Sequence, residues 1–247
     1  MASNIRMASF DQGQIPTIAV INQATVDFGV DFDALIAALQ KFVDQDFAPI
    51  WGTHATLRKS DDFIPGAWAM AFIDNADVQG ALGYHELTPD GLPLSKVFVE
   101  TTIQANQRVS VTACHELAEM LVDPAINLWS EAPDGTLYAY EMSDAVEEEE
   151  FDIDGIAMSD FVYPAYFEGF RAAGSTQFDF LRKVESPFQI LAGGYSLVRN
   201  GGTVTQVFGS LAKEERFQQE DRRSHRSEYR KPTGPLIRSA PSARRRP

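Results

Sequence analysis

The sequence predicts an α/β (α+β) fold with a smaller C-terminal part built around a β-hairpin. Three observations carry this. A β-branched run near the start is followed by an amphipathic helical stretch, several short strand-like runs lead up to Thr101, and a mid-chain helix mixes apolar with ionisable residues. The 247 residues, 44% of them apolar, can support a sizeable core, and one main domain is expected.

Thr17 to Asn22 (TIAVIN) has the composition of a strand. In Asp31 to Phe47 the residues Phe32, Leu35, Ile36, Leu39, Phe42 and Val43 recur at helical spacing. Ala55 to Arg58, Ala67 to Ile73 and Gly80 to Glu86 read as strands. A turn at Pro89-Asp90-Gly91 then leads into a further strand, Lys96 to Thr101. Gln107 to Val122 reads as a helix that Pro124 helps to end. Leu137 to Met142 is the next expected strand, followed by Glu147 to Glu150, whose mutual repulsion predicts a solvated loop. Tyr195 to Arg199 and Thr203 to Phe208 flank Asn200-Gly201-Gly202, a hairpin signal.

The net charge of −14 is unevenly distributed. From Arg222 onward nine basic residues face one acidic residue, Glu228, so this segment carries +8 and the rest −22. An acidic body repels nucleic-acid phosphates, whereas a basic tail over 222–247 could contact a polyanion or an acidic protein. Composition turns polar from about Lys213, so 1–212 is expected to form the domain, with a subregion at about 125–212. Residues 213–247 are expected to be a disordered tail. The chain lacks an apolar run of about 18 residues, and Met1 to Pro16 lacks a secretory layout, so neither a membrane nor export by that route is expected. A single cysteine, Cys114, rules out an intrachain disulfide and a Cys-based zinc site.

The chemistry concentrates in Ala113 to Pro124 (ACHELAEMLVDP). At 3.6 residues per turn His115 and Glu119 project from one helix face and could grip a single ion, with Glu116 beside the first ligand. In the H-E-x-x-H pattern of zinc proteases both histidines bind the metal and the glutamate is the general base. Here a carboxylate stands in the second ligand position. A catalytic zinc site needs three protein ligands, and Glu141, Asp144 and Asp123 are the candidates for the third. Asp123, at the helix end, could cap, orient an imidazole N–H, or ligate. Two carboxylates on the ion lower its Lewis acidity and also suit Ca2+ or Mn2+. His85, Tyr138, Tyr140 and Tyr163 could donate to an oxyanion, but such residues in strands more often pack, and no catalytic role is assigned to them.

The order of elements over roughly residues 15–145, together with the HELAE helix, resembles the zincin metallopeptidases. The strings HELAEMLVDPAINLW, YEMSDAVE, SDFVYPAYF and GGYSLVRNGG resemble those of a group of bacterial and phage proteins with an H-E-x-x-E helix. The resemblance implies a twisted mixed sheet with a backing helix and an active-site helix. It implies one bound ion, zinc ahead of Ca2+ or Mn2+, with His115 and Glu119 as ligands and Glu141 as the favoured third. Asp144 would be a ligand or an acceptor for a ligand's N–H. It further implies hydrolysis of a peptide or protein substrate with Glu116 as general base, the substrate pairing with an edge strand at Gly80 to Glu86 or Lys96 to Thr101. A cytoplasmic or virion-associated protein is expected. The second reading is a catalytically inactive scaffold, a structural or interaction protein such as one of a phage particle, tethered by the basic tail.

Overall fold

β1 (Thr17–Asn22) forms where the β-branched run places it, near the middle of a five-stranded sheet. The computed structural model describes residues 15–77, 81–220 and 236–237; Gly80 and the tail's basic residues from Arg222 to Arg246 lie outside this set. With β2 (Thr56–Ser60), β3 (Trp68–Ile73), β4 (Gly83–Leu87) and β5 (Pro93–Phe98) the sheet order is β2-β1-β3-β5-β4. Strands β2, β1, β3 and β5 are parallel, and β4 pairs antiparallel with β5 at the edge. Parallel strands are buried on both faces, which explains why β1 is apolar without alternation. Ile18, Val20, Met70, Phe72 and Val97 join the main core, whereas Ala19, Ile21, Ala69, Ala71 and Leu94 form a smaller cluster.

The helical stretch has three parts: α1 (Phe32–Lys41), a π-helical segment (Phe42–Phe47) and α2 (Ala48–Trp51). Asp31 starts it by accepting from the Ala34 N–H at 2.8 Å. The π segment has a cause in Pro49, which has no N–H to donate and whose ring would meet the Gln45 carbonyl in a regular α-helix. The wider turn brings Phe42 and Phe47 together against Phe161, with ring centroids 5.5 and 5.0 Å from it.

One expected strand is shorter than its sequence. β5 stops at Phe98 and the chain turns into α3 (Val99–Gln104), although Val99 to Thr101 belong to the predicted strand. The last parallel pairing is Ile73 with Phe98, so no ladder remains for the next residue to join, and the β preference of VETT is overridden. α4 (Val109–Val122) follows; its residues Val109 to Leu121 are all buried, between β5 and β4 on one side and a later hairpin on the other.

Beyond α4, β6 (Trp129–Glu131) and β7 (Leu137–Ala139) begin a second sheet. The hairpin of β8 (Glu150–Ile153) and β9 (Ile156–Ser159) packs on α4. β10 (Tyr195–Asn200) and β11 (Thr203–Phe208) realise the predicted hairpin, with Gly201 and Gly202 at φ +56° and +93° as its mirror-image turn requires. With β12 (Leu236–Ile237) the second sheet runs β11-β10-β7-β6-β12. α5 (Leu211–Glu220) spans the composition shift near Lys213.

Glu147 to Glu149 form a half-exposed turn and loop, as expected, and only Glu150 enters a strand, but their charges are paired instead of being left to water. Glu147 and Glu148 pair with the buried Lys213 (2.6 and 3.7 Å), Glu149 with Lys183, and Glu150, which opens β8, with Arg108 at 2.5 Å. Cations from three distant segments offset the repulsion that the sequence presents.

Asp160 and Asp179 form a fully buried carboxyl pair. Asp160 Oδ1 accepts from the Phe161 and Leu181 N–H groups, and Asp179 accepts from those of Lys183 and Val184. Burial pushes the Asp160 carboxyl up to about 8, and the neighbouring Asp179 adds to the shift. A carboxyl whose pKa rises on folding stabilises the fold in its protonated form. That contribution is complete below the ordinary value of 3.8 and is lost as pH rises through about 8. Thermal stability is therefore expected to fall between about pH 4 and 8, by about 1.4 kcal/mol per pH unit within that window. Asp160→Asn, whose amide can donate to Asp179, should flatten the profile; an unchanged slope in melts across this range would refute the raised Asp160 carboxyl as its source.

Candidate metal centre

Helix α4 carries ionisable residues on a buried surface. Ser110, Thr112, His115, Glu116 and Glu119 all lie within it at no more than 8% exposure, and Glu119 is completely enclosed. Ionisable side chains are rarely buried without partners of opposite charge or a metal, so their chemistry rather than packing requires explanation.

Three further segments converge on them. β4 presents His85, the loop after β7 presents Glu141, and a 3₁₀ turn at Asp144–Val146 presents Asp144. The loop is anchored by its apolar neighbours Met142, Ala145 and Val146, which belong to the main core. β7 ends at Ala139, before the predicted Met142, and the Glu141 N–H then bonds the Ala139 carbonyl at 2.9 Å, turning the carboxylate inward.

The i,i+4 geometry is realised, with His115 Nε2 3.1 Å from Glu119 Oε1. The same nitrogen lies 3.3 Å from Asp144 Oδ1. His85 Nδ1 stands 3.7 Å from Glu116 Oε2 and 3.8 Å from Glu119 Oε2. Two groups have ligand atoms close enough together to share one ion: His115, Glu116 and Glu119, and His85, Glu119 and Glu141. These buried His/Glu groups could hold a metal ion.

Burial alone would lower the His115 pKa. The opposing influences of Glu119, Asp144 and Glu116, through charge and hydrogen bonding, outweigh it and leave the imidazole well above its usual range. Cys114, one residue away, is fully enclosed in the core, and burial raises its thiol far above the usual value, consistent with a packing role.

The helix can approach β4 this closely because of Gly83. A Cβ there would lie 2.8 Å from Glu116 Cγ and 2.9 Å from both Thr112 Cγ2 and the Lys96 carbonyl oxygen. Gly83 and His85 share the strand face toward α4 through the two-residue alternation. Tyr84 and Glu86 belong to the opposite face, where Lys96 donates to Asp77, Tyr84 and Glu86.

Of the predicted site residues, His115, Glu116, Glu119, Glu141 and Asp144 are all buried, and each takes part in the convergence. Asp123 takes the first of its three alternatives: its oxygens accept from the Asn127 and Leu128 N–H groups at 2.9 and 3.1 Å, capping the turn after α4. Tyr138 packs on Phe188 and Tyr140 on Phe167, while the Tyr163 hydroxyl accepts from Gln177. His85 is the member of the cluster to which the sequence assigns no role. Its strand context matched ordinary packing, and the one available signal was its position on the same strand face as a glycine. No family model matches the chain, and no curated protein or solved structure is significantly similar to it.

Proposed function

We propose that the protein is a metal-dependent peptidase of zincin-like architecture, with Zn2+ favoured over Mn2+ or Ca2+. The observation that carries this reading is the burial of His115 and Glu119 on one helix turn, with Asp144 Oδ1 3.3 Å from the same imidazole nitrogen. A donor set of imidazole nitrogen and carboxylate oxygen suits a divalent ion of intermediate hardness. His115, Glu119 and either Glu141 or Asp144 would hold it. The enclosed imidazole of His85, neither of whose nitrogens has a hydrogen-bond partner among the described residues, is a further donor suited to that environment.

When bound, such an ion polarises a substrate carbonyl and lowers the pKa of a water. Glu116, next to His115 on the helix, takes the water's proton and delivers it to the departing amine. β4 stands at the edge of the mixed sheet, and an extended peptide can add to it as a further strand, which carries the scissile bond past the His85 face. The other docking edge that the sequence offers, Lys96 to Thr101, begins in β5, which is interior, between β3 and β4. No helix among the described residues is long and apolar enough to cross a membrane. The basic residues of 222–247 supply a tether for a polyanion or an acidic protein, an assignment resting on their charge alone.

The test is incubation of the zinc-loaded full chain with a mixed-sequence peptide library, with new termini read by mass spectrometry. Cleavage that disappears on chelation and returns with zinc is the expected result. Retained metal with no cleavage over the library would replace the peptidase by the inactive scaffold.

A further inference from the structure

We propose that this cluster holds two divalent cations rather than one, with the Glu119 carboxylate bridging them. The inference deepens the metal-site reading above and rests on it. Glu119 turns its two oxygens toward different imidazoles: Oε1 is 3.1 Å from His115 Nε2, and Oε2 is 3.8 Å from His85 Nδ1. A carboxylate presented in this way is disposed to coordinate one ion through each oxygen. The two sets of ligand atoms that can share an ion, His115 with Glu116 and Glu119, and His85 with Glu119 and Glu141, have only Glu119 in common.

His85 supplies an independent observation. It is 1% exposed, neither ring nitrogen has a hydrogen-bond partner among the described residues, and Nδ1 points at Glu116 and Glu119 from beyond hydrogen-bonding distance. A buried imidazole left this way costs folding free energy, a cost that coordination to an ion offsets. Charge favours the same stoichiometry. Ionised Glu116, Glu119, Glu141 and Asp144 together carry −4, all at no more than 3% exposure, and metal-ligating imidazoles are neutral. One divalent ion leaves −2 in the interior, whereas two bring the group to neutrality. Paired ions about 3.5–4 Å apart are a recurrent arrangement in hydrolytic sites.

The first ion would take His115 and Glu119 from the first set, with Asp144 Oδ1, 3.3 Å from His115 Nε2, as a further donor, and the second would take His85, Glu119 and Glu141. Glu116, 3.7 Å from His85 Nδ1 and in the His115 set, lies between them.

The experiment is metal analysis of the full chain, stripped with chelator, reloaded with Mn2+ or Zn2+ and freed of excess ion. Two ions per chain are expected in the wild type and one in both His85→Ala and Glu141→Gln, with melting curves confirming that each variant is folded. In the Mn2+-loaded wild type, electron paramagnetic resonance should show an exchange-coupled pair instead of isolated ions, a readout that needs no variant. One ion per chain with an isolated-ion spectrum overturns the two-ion assignment and leaves the single-ion reading standing. No ion in the wild type overturns both.

Discussion

Glu116→Gln is expected to lower peptide hydrolysis by about 10²–10⁴-fold, the contribution typical of a positioned general base, while metal content stays at the wild-type level. The amide preserves the shape of a side chain that packs against Gly83 at the β4 interface, so the helix position is retained and only proton transfer is removed. The loss should fall on kcat more than on KM, because the interaction matters in the transition state rather than in substrate binding. Parallel measurement of cleavage rate and bound metal separates the possibilities. Hydrolysis surviving in the variant would remove Glu116 from the base role, and loss of metal with activity would make it a ligand.

His115→Ala is expected to abolish activity and to lose the ion that His115 holds. His115 stands within 3.3 Å of both Glu119 and Asp144, and its removal takes the single nitrogen donor from that set. The loss of affinity should exceed the about 10–100-fold that removal of a group supporting a ligand costs. Stability reports the same event. A metal present at about 1,000 times its dissociation constant stabilises the fold by about 4 kcal/mol. For a chain of this size that corresponds to a shift of roughly 8–16 °C between the metal-loaded and chelated forms, taking about 2–4 °C per kcal/mol. The shift should be clearly smaller in His115→Ala than in the wild type when melts are recorded with and without chelator. Equal zinc content in the two proteins would take His115 out of the site.

Several elements were legible because they depend on local pattern. β1 occupies Thr17–Asn22 as the β-branched run predicts, and the β10–β11 hairpin follows from Asn200-Gly201-Gly202, since only a mirror-image turn joins two twisted strands by so short a link. α4 and the shared face of His115 and Glu119 follow from helical periodicity. Other features are the product of neighbours distant in sequence. Val99 to Thr101 carry a strand's composition yet open α3, and the repulsive run at Glu147 to Glu150 is held by Lys213, Lys183 and Arg108. The Asp160–Asp179 pair has no sequence signal, because nothing local reveals that two aspartates are enclosed together.

The candidate site divides in the same way. The sequence by itself determined the helix, the spacing of His115, Glu116 and Glu119, and a short roster of downstream carboxylates, because helix geometry turns residue intervals into directions. Only the tertiary structure decided that Asp123 caps a turn, that Glu141 and Asp144 both reach the cluster, and that His85 enters it from an edge strand. The physical reason is that a strand's two-residue alternation specifies a face but not what that face meets. What His85 meets was fixed by the packing of α4 against β4, which the missing side chain of Gly83 permits.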